Sequence, residues 1–345
     1  MQRIPFSRHL VSLAAGALSL LANSESLAQS PMVVGIQKIA MKDASRDRNV
    51  NFEVWFEAVA GTQAQSISIA PILQAFSAAQ NATPAPVAPK PLLILSHGNF
   101  ANPTAYGWLI TDLVKAGFVV LTPTHPGTMF QDLRPEYRAR LWERSSDVSF
   151  ALTQFLADPA WAARVDAKRI GFIGHSFGGW TGVSLAGGLY DYKQQLSYCE
   201  TMPKKDQYCA GLIKDYNPQT AIEDGKRSFK DERFKAFYAL ASGVAAGFSA
   251  PSLASISAPM VFETAKYDTV LAPEGGSSLF AKSIPSAKEI MRDTGHFVYG
   301  PVCTPVLGKL ALGQVCEDPE GSDRKALHVQ ASADIVQFFR KQLAQ

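Results

Sequence analysis

The sequence predicts an α/β fold, one domain with a mostly parallel central sheet and helices on both faces. Two observations carry that reading. From Pro91 onward, apolar runs of strand length alternate with loops carrying Gly or Pro and with amphipathic stretches of helical length, the pattern of a sheet wound with crossover helices. One of those runs, Ile170 to Ile173, leads directly into Gly174-His175-Ser176-Phe177-Gly178, where glycines on either side of a serine suit a tight strand-to-helix turn. A length of 345 residues fits one large core. Hydrophobic residues at 47% and charged residues at 18% exclude a disordered or fibrous chain. A net charge of +3 is too small to imply a nucleic-acid partner.

The first residues read as an export signal. Arg3 and Arg8 supply a positive start, Leu10 to Leu21 an apolar stretch, and Ser26-Leu27-Ala28 a small-x-small cleavage site. Residues 1–28 are therefore expected to be removed, leaving residues 29–345 as the mature domain, secreted or periplasmic. The apolar stretch is shorter than the roughly 20 residues that span a bilayer, and no later run is long enough, so no transmembrane anchor is expected.

Val33-Val34-Gly35-Ile36 and Phe52 to Phe56, the second alternating apolar and polar, look like leading antiparallel strands, with the charged turn Asp43 to Arg48 between them. Residues 60–90, rich in Ala, Gln, Ser and Pro, have weak periodicity and read as a surface excursion. The strand-like runs that follow are Leu92–Leu95, Phe118–Leu121, Ile170–Ile173, Phe237–Leu240, Met260–Phe262 and Glu289–Met291. Val148, Leu152, Phe155 and Leu156 share one helical face, as do Ile335, Phe338, Phe339 and Leu343. Between Tyr190 and Arg233 the alternation breaks, and this polar insert, residues 190–233, is either a cap over a site or a solvated flap.

Cys199 lies near Cys209 and Cys303 near Cys316, an even number that reads as two short-range disulfides in an oxidising compartment. A zinc site is the alternative, but neither pair has metal-knuckle spacing or a His at a matching offset, so no metal is expected.

The chemistry begins at Ser176. G-x-S-x-G alone would arise by chance in about one chain in ten of this length, but here it follows a buried-strand pattern and precedes a helix-like stretch with Gly179, Gly182 and Ala186. That is the setting of a nucleophile elbow. Upstream, Leu92-Leu93-Ile94-Leu95-Ser96 runs into His97-Gly98-Asn99-Phe100. A Gly there lets backbone reach a tetrahedral oxyanion, and the N–H groups of Asn99 and Phe177 are the expected donors. His97 itself is expected to pack under the loop. The base must follow the acid in chain order. His296, in a loop after the last strand-like run, fits, whereas His125 comes too early, His175 adjoins the nucleophile, His328 lies in the terminal helix and His9 in the signal. Asp268, after Pro259-Met260-Val261-Phe262, is the expected acid, with Glu263 and Asp293 as rivals.

These residues resemble the bacterial proteins described as predicted dienelactone hydrolases, relatives of the group II platelet-activating-factor acetylhydrolases within the α/β-hydrolase superfamily. The resemblance rests on Asp43-x-x-Arg46-x-Arg48 followed by Trp55, Ser96-His97-Gly98, Thr124-His125-Pro126-Gly127, Gly174 to Gly179, Gly295-His296-Phe297, and the tail from Cys303 through Cys316 to Asp323-Arg324 and His328. It implies the α/β-hydrolase fold and a cofactor-free serine esterase acting on small-molecule or lipid esters, with Ser176, Asp268 and His296 as its triad. Two departures matter. True dienelactone hydrolases use a Cys nucleophile, and the acetylhydrolase branch places its acid one strand earlier, where Ala239-Leu240-Ala241-Ser242 has no carboxylate. A phospholipid deacylase, a peptidase or amidase, and a catalytically inactive binding protein stand as alternatives.

Overall fold

Leu92-Leu93-Ile94-Leu95 is apolar at every position because its strand is covered on both sides. Leu92 and Ile94 belong to one hydrophobic core, and Leu93 and Leu95 to a second across the sheet, as the two-residue period of a strand requires. The structure is a computed structural model that describes residues 1–2, 32–201, 206–209 and 224–344. The chain divides into a unit over Met1–Pro31 and a unit over Met32–Gln345. Apart from its first two residues, the expected export signal lies outside the described residues.

Among the described residues, ten strands form the main sheet: β1 (Val34–Ile39), β2 (Phe52–Glu57), β3 (Gln65–Ile67), β4 (Phe76–Gln80), β5 (Lys90–Ser96), β6 (Val119–Pro123), β7 (Val165–His175), β8 (Phe234–Leu240), β9 (Met260–Ala265) and β10 (Ala287–Arg292). Their order is β10-β9-β8-β7-β5-β6-β2-β1-β4-β3. The strands from β10 to β6 run parallel, and β2 pairs antiparallel with both β6 and β1. Five of the six expected runs lie within these strands, and the sixth, Phe118–Leu121, does so from Val119 onward. Helices α1 (Gly107–Lys115), α2 (Trp142–Ala157), α3 (Phe177–Leu185), α5 (Ser277–Ser283) and α6 (Arg324–Gln342) pack on the sheet, and α4 (Tyr192–Thr201) packs against the turn Ala245–Gly247. Residues of α1 and α6 share the core of Leu93 and Leu95, and residues of α2 and α3 share that of Leu92 and Ile94.

Two expectations need correction. Residues 60–90 are not merely a surface excursion: β4 pairs parallel with β1, β3 pairs antiparallel with β4, and together they extend the sheet edge. The strand core there is Ala78-Ala79, buried but too small to register as hydrophobic periodicity. Phe52 to Phe56, read as alternating, is buried throughout, Glu53 included, because β2 lies inside the sheet. Burial raises the Glu53 carboxyl above the usual carboxylate range, against the pull of Lys38.

Candidate active site

β7 ends at His175 and α3 begins at Phe177, so Ser176 alone makes the turn, at φ 58° and ψ −119°. A non-glycine residue in that region is strained and persists only where its surroundings over-determine it. Gly178 is part of that determination: a Cβ on it would lie 2.0 Å from the Ser96 carbonyl oxygen, so only glycine lets α3 start so close to β5.

Three loops after parallel strands converge on this serine. His296 Nε2 lies 3.0 Å from Ser176 Oγ, and His296 Nδ1 lies 2.7 Å from Asp268 Oδ2. The other carboxylate oxygen, Oδ1, accepts from the N–H groups of Val270 and Leu271, each at 2.8 Å. The carboxylate is thereby oriented, and Nδ1–H donates to it while Nε2 faces the hydroxyl. All three side chains are buried. The rival acids are engaged elsewhere. Glu263 accepts from Tyr238, Tyr299 and Arg292, and the exposed Asp293 pairs with Lys266 at 2.7 Å.

The loop after β5 meets Ser176 at Gly98, where a Cβ would stand 3.0 Å from Ser176 Cβ. Its shape is set on either side of Asn99. Gly98 N–H donates to Tyr106 Oη at 3.0 Å, Phe100 N–H donates to the Thr128 carbonyl at 2.8 Å, and Phe100 adopts φ 59°. Among the described residues, no protein group accepts from the N–H of Asn99 or of Phe177.

A second serine–histidine–aspartate line lies behind this loop, and sequence reading missed it. Ser96 Oγ is 2.9 Å from His125 Nε2, and His125 Nδ1 is 3.1 Å from Asp147 Oδ2. Asp147 also receives Arg48 through Nε and Nη2 at 2.7 and 2.8 Å and Arg46 through Nη1 at 2.9 Å. Burial, followed by the charges of Arg144, Arg48 and Arg46, holds His125 well below the usual histidine range, so it is neutral. Ser96, His125 and Asp147 are each 0% exposed, so no substrate reaches that serine. The line is a scaffold. Arg144, also buried, donates to Ser96 Oγ, to Thr128 Oγ1 and to the His97 carbonyl, gripping the start of the loop that carries Asn99 and the residue whose carbonyl receives Phe100 N–H. The available signal was the Asp43-x-x-Arg46-x-Arg48 turn: its two arginines needed a buried acid, which α2 supplies. His97 packs under the loop, with Nδ1 2.7 Å from the Gly98 oxygen. His328 donates from Nε2 to the Val298 carbonyl at 2.7 Å and stacks on Trp108.

Cys199 is bonded to Cys209 and Cys303 to Cys316, which closes the zinc alternative for these sulfurs. In the described part of the 190–233 insert, Tyr192, Gln195, Cys199, Tyr208 and Cys209 are buried, whereas Lys226, Arg227, Ser228, Lys230 and Glu232 are exposed. Residues 202–205 and 210–223 lie outside the described residues. The Tyr208 ring meets the Phe177 ring edge-on at 5.5 Å. Asp206, two residues earlier, is buried, and burial with some help from Asp268 raises its carboxyl to about 6. No helix among the described residues is long and apolar enough to cross a membrane.

No family model matches the sequence, and no curated protein matches it. Solved structures do. A ferulic acid esterase from Streptomyces cinnamoneus superposes with a TM-score of 0.61 over 91% of each chain at 17% identity. A puromycin-hydrolyzing peptidase from Mycobacterium tuberculosis gives 0.51 at 13% identity, over 89% of this chain and 39% of that one. Identities this low speak for the fold alone, and the fold is the α/β-hydrolase fold. The narrower resemblance to dienelactone hydrolases and platelet-activating-factor acetylhydrolases has no counterpart among these neighbours.

Proposed function

We propose that the chain is a serine hydrolase of carboxylic esters, working through an acyl-enzyme. The observation that carries this reading is the line Ser176 Oγ, His296 Nε2, His296 Nδ1, Asp268 Oδ2, with separations of 3.0 and 2.7 Å, on a serine held at a strained strand-to-helix turn. Ser176 Oγ attacks the ester carbonyl carbon as its proton passes to His296 Nε2. The N–H groups of Asn99 and Phe177 hold the oxyanion, and each such donor is worth roughly 3 to 4 kcal/mol in the transition state. The intermediate collapses, the C–O bond to the alcohol breaks, and the alcohol takes the proton from His296. Water, deprotonated by the same imidazole, then releases the acid. Asp268 keeps the imidazole in its Nδ1–H tautomer and stabilises the imidazolium while it carries the proton.

Ser176→Ala should lower turnover of a short-chain nitrophenyl ester by about 10⁴-fold or more. Undiminished hydrolysis by that variant would refute the assignment. The same preparation separates the alternatives. A peptide anilide hydrolysed faster than the ester marks an amidase, an acetyl preference on a phospholipid marks the acetylhydrolase reading, and no fluorophosphonate labelling of Ser176 marks an inactive binding protein.

A further inference from the structure

His175, between Gly174 and the nucleophile, has no task in the steps above. Its ring is buried, with its centroid 5.0 Å from that of His296, and its two nitrogens bond in opposite directions. Nε2 lies 3.2 Å from the backbone carbonyl oxygen of His296. Nδ1 lies 2.8 Å from Tyr106 Oη, which itself lies 3.0 Å from the Gly98 nitrogen. The direction of every bond follows from the ends of this chain. A carbonyl only accepts, so Nε2 carries a hydrogen. Burial, with His296 beside it, holds His175 well below the usual histidine range, so it is neutral and Nδ1 is bare. The Tyr106 hydroxyl therefore donates to Nδ1, and its oxygen accepts from Gly98 N–H. Burial also pushes the Tyr106 hydroxyl up to about 12, which keeps its proton in place.

We propose that Tyr106 and His175 are positioning residues that tie the oxyanion loop at Gly98 to the base loop at His296, holding both at fixed separation across Ser176. The inference rests on the esterase reading. Gly98 precedes Asn99, the expected oxyanion donor, and the His296 carbonyl belongs to the base itself, so slack at either end misplaces a reacting partner. A neutral relay suits this position. A cation 5.0 Å from His296 would oppose the imidazolium that forms when Ser176 attacks.

The test compares wild type with Tyr106→Phe, His175→Gln and the double variant, on a nitrophenyl ester, with active sites titrated by a fluorophosphonate. Displacing reacting groups by a fraction of an ångström costs about tenfold to a hundredfold. The expected result is a fall of that size in kcat per titrated site, with KM within about twofold. The double variant should be no slower than the slower single variant, since both break one link, whereas independent effects multiply. A merely structural role would instead reduce the titratable fraction and leave per-site kcat alone. Per-site kcat within about twofold of wild type in both single variants, or multiplying losses in the double, overturns the proposal. If one single variant does not fold, the other decides. An inactive wild type overturns the esterase reading instead, so the two failures are distinguishable.

Discussion

Ser96 and Ser176 each face a histidine that faces an aspartate, but Ser96 is 0% exposed at the end of a strand, whereas Ser176 is 5% exposed and stands at a strained turn. The Ser96 hydroxyl is sealed from solvent and receives Arg144, whereas Ser176 is presented by its own backbone turn. Ser96→Ala should therefore keep activity within about tenfold of wild type and cost about 1 to 2 kcal/mol of stability from broken hydrogen bonds. Thermal melts and ester kinetics on the same sample check both halves, and an activity loss equal to that of Ser176→Ala would mean the wrong serine was chosen. The acids divide in a similar way. Asp268→Asn should lower kcat by about 10⁴-fold, because the amide no longer holds the Nδ1–H tautomer. Asp293→Asn weakens an exposed pair with Lys266 and a long contact from Tyr267 Oη and should change kcat little, since such pairs contribute about 1 kcal/mol or less.

The elements around the site divide between those that create the turn and those that brace it. β5, β7 and α3 create it, since their close approach at Gly178 fixes where Ser176 stands. The brace includes the start of the 190–233 insert, where the Cys199–Cys209 bond closes a short loop and holds Tyr208 against Phe177. In the chain-entropy model such a loop contributes roughly 2 to 3 kcal/mol. Cys199→Ser with Cys209→Ser should lower the thermal midpoint, and it should lower kcat severalfold because the N–H of Phe177 loses its support. Equal kcat in the reduced and oxidised forms would show that Tyr208 packs there without consequence for turnover.

Over the entire chain, stability should depend on pH through histidines buried without charge. Burial holds His97, His125 and His175 well below their ordinary value, and it lowers His328 to about 4. Each binds a proton more readily when unfolded, so stability is full above about pH 6.5 and falls as the pH drops from there through about 4. Asp206 acts in the opposite sense. Its carboxyl, raised to about 6, contributes stability that is present at low pH and lost as the pH rises through 6. Burial raises the Glu53 carboxyl in the same sense, and four histidines outweigh these two carboxyls, so urea midpoints should decline on acidification from pH 7 to 5. His328→Gln should flatten that decline, and an unchanged slope would exclude His328 as a contributor.

Much of the fold was legible because its strongest constraints are local. Parallel strands buried on both faces require unbroken apolar runs, and each of the six runs marks a strand, with only Phe118 falling outside its strand. A strained serine turn requires glycines at set offsets, and chain order narrows the choice of base. Residues 65–80 escaped because Ala78 and Ala79 fill a sheet edge with side chains too small to mark a period. Other features depended on three dimensions. The Ser96–His125–Asp147 scaffold joins residues 29 and 22 positions apart, and the line from Gly98 through Tyr106 and His175 to His296 joins residues up to 121 apart. Spacing along the chain carries no trace of such contacts, because packing between elements decides which polar groups are sealed together and must satisfy one another. The sequence by itself therefore determined the sheet and named a serine, a base and an acid as candidates. Which histidines face a hydroxyl, and that Ser96 is sealed from solvent, only the tertiary structure decided, through packing between elements.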